Sequence, residues 1–251
     1  MSRDWDARTY DAVAAPQERW GRNVLDRLRL TGGERVLDAG CGSGRVTEVL
    51  AERLPNGTVV ALDASPAMIE ACRARLARFG QRIEYVVADL DRPLAIGRPV
   101  DVIVSTATFH WVADHDALFR HLAAVLRRGG RLTAQFGGFG NIRRVKDVLA
   151  SMGDGWLGPA HYETPEATER RLLAAGFEDV RCWLQPEPTR FERGRPFERF
   201  LETVVLGPHL DRLPPEERQP FVHDVATRLR EPVLDYVRLN VDANRSAEGV
   251  V

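Results

Sequence analysis

Lysine is nearly missing from this chain. It carries 35 basic residues, and Lys146 is the only one of them that is not arginine. Nothing in the sequence pattern gives a structural reason for that bias. Cysteine is scarce too. Cys41, Cys72 and Cys182 are an odd number with no C-x-x-C spacing, which argues against a disulfide framework and a cysteine zinc centre and fits a reducing compartment. Long apolar runs are lacking: Leu122 to Leu126 is as long as they become, far short of a membrane span. The first residues, Met1 to Asp6, show neither a basic nor an apolar leader region, so a cytoplasmic protein is expected. Charge of one sign is also lacking. The formal net charge is −1, and the arginine pairs at 127–128, 143–144 and 170–171 are scattered, so a nucleic-acid partner is not expected. What remains is 44% hydrophobic and 28% charged over 251 residues, enough to bury a core and too apolar for a disordered chain.

Periodicity along the chain alternates. Residues 16–30 read as an amphipathic helix with Trp20, Val24, Leu25 and Leu28 on one side. Strands are expected at 35–38, 58–63, 83–88, 101–105 and 131–136, with helices at 46–54, from Ser65-Pro66 onward and at 114–126. Ser65-Pro66 is an N-cap followed by proline at the first helical position, and Gly129-Gly130 reads as the stop of the 114–126 helix. Gly137 to Gly140 is a break. Beyond it come a helix from Thr164-Pro165, a strand at 177–184, two helices within the proline-rich stretch 186–232 and a last strand at about 236–243, antiparallel to its neighbour. Such alternation predicts an α/β protein with a doubly wound seven-stranded sheet, mostly parallel with an antiparallel last strand. The expected organisation is one domain over 1–251. It comprises an N-terminal helical cap (1–30), a ligand-binding core (31–136), the rest of the sheet and helices (137–185 and 233–245) and a helical lid insert (186–232).

The strongest local signal is Val36-Leu-Asp-Ala-Gly-Cys-Gly-Ser-Gly44. Gly40, Gly42 and Gly44 follow a strand and precede a helix, where glycine lets backbone approach a ligand. The dinucleotide fingerprint needs a small residue at position 45, which is Arg45. Asp38 discriminates further: its carboxylate would repel a pyrophosphate at this turn and hold a ligand carrying an ammonium and a sulfonium. Asp63 ends the second strand, where an acid accepts ribose hydroxyls, although nicotinamide enzymes share that acid. Asp89, in Ala88-Asp89-Leu90 after the third strand, can accept from an adenine amino group. Each acid taken singly also reads as a helix cap or turn residue. Together they converge on the crevice at the strands' carboxyl ends.

These motifs, with Ala61-Leu-Asp-Ala-Ser-Pro-Ala-Met68, Val87-Ala-Asp-Leu90 and Gly129-Gly-Arg-Leu132, resemble the class I S-adenosylmethionine-dependent methyltransferases over nearly the whole chain. The resemblance implies S-adenosylmethionine as cofactor, with Asp38 on the methionine moiety, Asp63 on the ribose and Asp89 on the adenine. Ala64 and Met68 would flank the adenine, Ala88 and Leu90 would belong to the cofactor site on either side of Asp89, and Ser105 would lie beside the methionine part. Tyr10 belongs to an N-terminal segment that closes over the cofactor in this family. Phe109-His-Trp-Val112 and the late helical insert resemble the branch containing trans-aconitate and juvenile hormone acid methyltransferases, whose members methylate carboxylates. His110 stands where the trans-aconitate branch tends to carry glutamine.

Methyl transfer from a sulfonium is an in-line displacement that requires the nucleophile to be held close and water excluded. A carboxylate nucleophile is already ionised and needs a cationic clamp; a hydroxyl or amine often needs a base. His110 is the candidate base, and it also reads as a substrate hydrogen-bonding group or as packing against Trp111. Trp111 and Arg143 are the other substrate-side candidates, Arg143 as a carboxylate clamp or as part of a solvated helix face. Asp114 and His115 have no third ligand in sight and read as a capped helix start, so no metal is expected. The expected partner is a small-molecule methyl acceptor, a carboxylate or hydroxyl oxygen. N- or C-methylation, a non-catalytic S-adenosylmethionine-binding protein, a nicotinamide-dependent reductase and an RNA methyltransferase are the alternatives, and oligomeric state is open.

Overall fold

The computed structural model describes residues 15–153 and 156–247, with side chains from Arg19 onward. Its strands are β1 (Arg35–Ala39), β2 (Thr58–Asp63), β3 (Ile83–Val87), β4 (Val100–Thr106), β5 (Leu126–Gly137), β6 (Phe177–Pro186), β7 (Thr189–Arg190), β8 (Val233–Leu234) and β9 (Val237–Arg245). Its helices are α1 (Ala15–Asp26), α2 (Arg45–Glu52), α3 (Pro66–Leu76), α4 (His115–Val125), α5 (Arg143–Met152), α6 (Pro165–Ala174), α7 (Arg195–Phe200), α8 (Gly207–Leu210) and α9 (Pro215–Arg228).

Seven strands form one sheet in the order β3-β2-β1-β4-β5-β9-β6. Neighbours from β3 to β5 pair in parallel, whereas β9 runs antiparallel to both β5 and β6. The short β7 and β8 pair with each other outside it. The doubly wound sheet with its antiparallel last strand is as the alternation predicts. Strand order reverses between β1 and β4, and ligands of such sheets bind in the crevice at that reversal.

The helix starts follow from their caps. The Ser65 hydroxyl accepts from Met68 N–H (3.2 Å) ahead of α3, Asp114 accepts from Ala117 N–H (2.9 Å) ahead of α4, and Thr164 accepts from Ala167 N–H (3.2 Å) ahead of α6. One apolar cluster, with Phe109, Phe119, Leu122 and Phe136, fills one sheet face. A second, with Leu25, Leu50, Leu54 and Leu76, fills the other. A third joins the insert to α5 and α1 through Phe197, Phe200, Val222 and Val225 against Trp20, Val145 and Leu149. Burial of side chains of this size contributes about 1.5–3 kcal/mol each, so the insert is fastened down by its own core.

Three elements differ from the sequence expectation. The pair Gly129-Gly130 does not stop α4 ahead of a strand at 131; β5 already begins at Leu126. Leu126 pairs with Val100 and Arg131 with Val102, so the extra residues bulge out, with Gly129 at φ +67°. Helix α5 was outside the predicted alternation and implied only by reading Arg143 as part of a solvated helix face; Val145 and Leu149, four residues apart, are its buried stripe. The first of the two helices expected within 186–232 is interrupted by a π turn at Leu201–Val205 before the four-residue α8.

Candidate active site

A cavity of about 880 Å³ opens at the reversal point. One half is built by the ends of β1, β2 and β3. There the cavity meets Gly40, Gly42, Asp63, Ala64, Met68, Ala88, Asp89 and Leu90. Asp38 lies in the floor of the loop, fully buried. Its Oδ2 accepts from the Thr47 hydroxyl (2.7 Å), while Oδ1 has no hydrogen-bond partner. Burial pushes the Asp38 carboxyl up to about 6; Thr47 opposes that shift and the neighbouring Asp63 charge adds to it. Asp63 Oδ2 accepts from Gly42 N–H and its Oδ1 from Ser65 N–H, both at 2.9 Å. Burial raises its pKa against those bonds. Asp89 Oδ1 accepts from Asp91 N–H at 3.1 Å.

Four amides of the glycine loop are already used. Gly40 and Cys41 N–H both donate to Leu62 C=O (2.8 and 2.9 Å), Gly44 N–H donates to Cys41 C=O (3.0 Å), and Gly42 N–H holds Asp63. A pyrophosphate needs such amides turned outward. The site instead offers carboxylate acceptors, Asp63 and Asp89 at the cavity and Asp38 buried behind its wall with Oδ1 unbonded, which suits a cationic nucleoside ligand. The three glycines divide their work. A Cβ on Gly40, at φ +84°, would sit 2.2 Å from Thr108 Oγ1, and one on Gly44, at φ +86°, would sit 2.7 Å from Cys72 Sγ. A Cβ on Gly42, at φ +53°, would meet nothing within 4 Å.

The other half of the cavity is assembled from distant segments: Trp20, His110, Trp111, Asn141, Ile142, Tyr162, Val204, Val205, Tyr236 and Arg238 among them. Arg238, on β9, is 3% exposed, and its guanidinium lies 4.5 Å from the Trp20 ring centroid. It pairs in register with Gly137 on β5. Gly137 N–H donates to His110 Nδ1 at 3.3 Å. A Cβ on Gly137 would meet Tyr162 Cε1 at 2.7 Å and Asn141 Nδ2 at 3.0 Å, so this glycine is where His110, Arg238, Tyr162 and Asn141 converge. Asn141 also accepts from Val237 N–H (2.9 Å) and bonds the Tyr162 hydroxyl. The His110 ring packs 4.8 Å from Trp111 and 5.8 Å from Tyr162, centroid to centroid. Burial, then Arg238, then His115 hold the His110 pKa well below the usual imidazole value.

Several sequence candidates stand elsewhere. Gly44 packs on α3 and does not line the cavity. Ser105 does not line it either; its hydroxyl donates to Ala39 C=O at 2.7 Å, tying β4 under the glycine loop, and the cavity wall there is Thr106, Ala107 and Thr108. Arg143 does not reach the cavity: it is exposed in the first turn of α5, because Val145 and Leu149 turn the other side of that helix inward. Tyr10 lies outside the described residues. His115 Nε2 bonds Phe109 C=O at 2.9 Å and Asp114 caps α4. Among the described residues no cluster of three or more His, Cys, Asp or Glu is arranged to hold a metal ion, and no helix is long and apolar enough to cross a membrane. Sequence reasoning missed Arg238, Asn141 and Ala107. Ala107, at φ +56°, is a strained backbone position of the kind that gathers at functional sites.

Comparison with known proteins agrees with this geometry. A family model described as a methyltransferase domain matches residues 36–130. A trans-aconitate 2-methyltransferase of Methylobacterium radiotolerans is 31% identical over 244 residues, covering 90% of this chain and 88% of that protein. Another, of an Azoarcus species, is 37% identical over 131 residues, 52% of this chain and 50% of that protein, so that match spans only half of the relative's length. Among solved structures, Haemonchus contortus phosphoethanolamine N-methyltransferase 2, in complex with phosphomonomethylethanolamine and S-adenosylhomocysteine, superposes with a TM-score of 0.65 at 18% identity, over 96% of this chain and 57% of that one. The cofactor is S-adenosylmethionine, and the chain belongs to the class I S-adenosylmethionine-dependent methyltransferases.

Proposed function

We propose that the protein transfers a methyl group to a carboxylate oxygen of a small organic acid. The observation that carries this reading is Arg238, a buried cation in the wall of the acceptor half. A guanidinium in a cavity wall can recognise a carboxylate there through paired hydrogen bonds. The trans-aconitate 2-methyltransferases among the relatives support the same substrate class.

Asp38 receives the amino group of the cofactor's methionine part, Asp63 the ribose hydroxyls and Asp89 the adenine amino group. Gly40 and Gly42 give the ligand room at the loop, and Ala64, Met68, Ala88 and Leu90 enclose the adenine. When bound, the cofactor would supply an electrophilic methyl on sulfur for an acceptor oxygen's lone pair, the electron pair of the S–C bond being left on sulfur. The chain's own residues bind and orient. Arg238 holds the acceptor anion, and His110, Trp111 and Tyr162 exclude water around it.

The test is an acceptor panel of small mono-, di- and tricarboxylic acids, trans-aconitate included, with the matched amides, alcohols and amines. S-adenosylhomocysteine formation is measured, and products are identified by mass and by base-labile ester cleavage. Esters from acids and no product from the matched amides are expected. Methylation confined to alcohols or amines would overturn the reading.

A further inference from the structure

His110 lines the acceptor half and has the residue type of a general base, but its surroundings assign it another task. A neutral imidazole has one N–H donor and one lone-pair acceptor. Gly137 N–H points at Nδ1, so Nδ1 is the acceptor and the proton resides on Nε2. Gly137 cannot turn its amide away: it is the last residue of β5, paired with Arg238, and the next amide, Gly138 N–H, is bound to Val237 C=O at 3.0 Å. The His110 backbone is pinned as well, its C=O accepting from His161 N–H at 2.7 Å. A second ring proton would place two N–H groups head to head. Neither nitrogen can then take a proton from an acceptor.

We infer that His110 serves the methyl acceptor as a fixed Nε2–H donor, with the Gly137 amide selecting its tautomer. The charged and titratable groups around the ring act in the same direction. Arg238 from β9 and His115 from α4 oppose a positive imidazole, and Tyr162 from the loop before α6 is a neutral phenol whose pKa burial raises further. His115 makes the useful contrast. Its Nε2 faces a carbonyl, Phe109 C=O, so its donor is consumed within the fold, whereas the donor of His110 belongs to a ring that lines the cavity. A site with a fixed donor and a buried guanidinium, whose other titratable lining groups on this side, His161 and Asp211, are exposed, suits a nucleophile that arrives ionised. The inference rests on the carboxylate reading for the atom that receives the Nε2–H bond; the tautomer itself does not depend on it.

The tautomer is read directly on the full chain, labelled with nitrogen-15, by long-range proton–nitrogen correlation at about pH 8 and about pH 5.5, with and without S-adenosylhomocysteine. The His110 signals are assigned as those lost in His110→Gln. Protonated Nε2 and unprotonated Nδ1 at both pH values are expected. An Nδ1–H tautomer, or an imidazole that gains a second proton between them, would overturn the inference. The donor role is read kinetically on the acceptor that the panel identifies. Glutamine carries an N–H at similar reach and cannot act as a base, whereas leucine fills the space with neither. His110→Gln is expected to lower kcat/KM less than about tenfold and His110→Leu about a hundredfold or more, with thermal melting confirming that both fold. Equal loss in the two variants would overturn the donor role. If no carboxylic acid is methylated, the substrate reading fails while the resonance measurement still decides the tautomer.

Discussion

The two halves of the cavity differ in charge and in how they are built. The cofactor half is acidic: Asp63 and Asp89 line it at the ends of adjacent strands, Asp38 is buried behind the glycine loop, and the amides of Gly40, Cys41, Gly42 and Gly44 are consumed internally. The acceptor half offers donors, Arg238 and the Nε2–H of His110; Asp211 reaches its wall but is exposed, where water screens it. On the proposed carboxylate reading, a sulfonium and an ammonium would be held on one side and a carboxylate on the other. Opposite charges on reacting partners favour their approach, and the product pair is uncharged at both the sulfur and the new ester, so the arrangement holds the reactants more strongly than the products.

Replacing the acid on the first side breaks the contrast most severely. Asp38→Asn keeps an acceptor for the Thr47 hydroxyl but removes the buried charge. Losing a charge-assisted bond of this kind costs about 2–5 kcal/mol, so cofactor affinity measured by calorimetry should fall about a hundredfold or more. Stability should move the other way. The folded Asp38 pKa is about 6 against an ordinary 3.8. Between those values the native state still holds a proton that the unfolded chain has released. The ligand-free protein therefore loses stability as pH rises through that window, on the order of 3 kcal/mol by pH 7. Asp38→Asn should melt higher than wild type at neutral pH without cofactor, and this advantage should vanish below about pH 4.

On the second side, Arg238→Met removes the cation and keeps most of the side-chain volume against Trp20. The acceptor KM should rise about thirtyfold to a hundredfold with the cofactor's affinity nearly unchanged. A comparable loss for both ligands would show that the halves are not separable. Wild-type cofactor binding should itself weaken as pH falls below about 6, by up to about tenfold per unit, as Asp38 takes up its proton. A flat affinity from about pH 5 to about pH 8 would remove Asp38 from the ammonium's contacts.

The same division governs what could be read in advance. The cofactor half is written in short contiguous stretches, 36–44, 61–68 and 87–90, because a strand end and the loop behind it place neighbouring residues in one crevice. The stretches that bring Asp63 and Asp89 to the cavity were therefore legible, as were the mostly parallel doubly wound sheet and its antiparallel last strand. The acceptor half draws on positions from Trp20 to Arg238, joined only by sheet register and by a glycine that leaves room for Tyr162. Arg143 was the arginine that local sequence offered as a clamp. The arginine buried in the cavity wall stands 95 residues later, on a strand whose pairing with Gly137 no local pattern announces. For His110 the sequence left base, substrate hydrogen-bonding group and packing all open, because an imidazole's neighbours, not its type, decide which nitrogen carries the proton.

The glycine loop gives the smallest and sharpest comparison, since its residues look alike in sequence. Gly44→Ala drives a methyl against Cys72 Sγ, and Gly42→Ala drives one into open space above the loop. Both pay for a left-handed backbone, roughly 1 kcal/mol. Only the first adds a clash inside the core, so it should lose a further 1–3 kcal/mol or so of stability in urea melts. Gly42→Ala should fold nearly as well as wild type, yet bind S-adenosylhomocysteine about tenfold more weakly, because its methyl occupies the space the ligand enters. If the two variants were interchangeable in both measurements, the loop would not divide into one glycine facing the fold and one facing the ligand. The cofactor half would then be a single packed unit instead of a wall with a working surface.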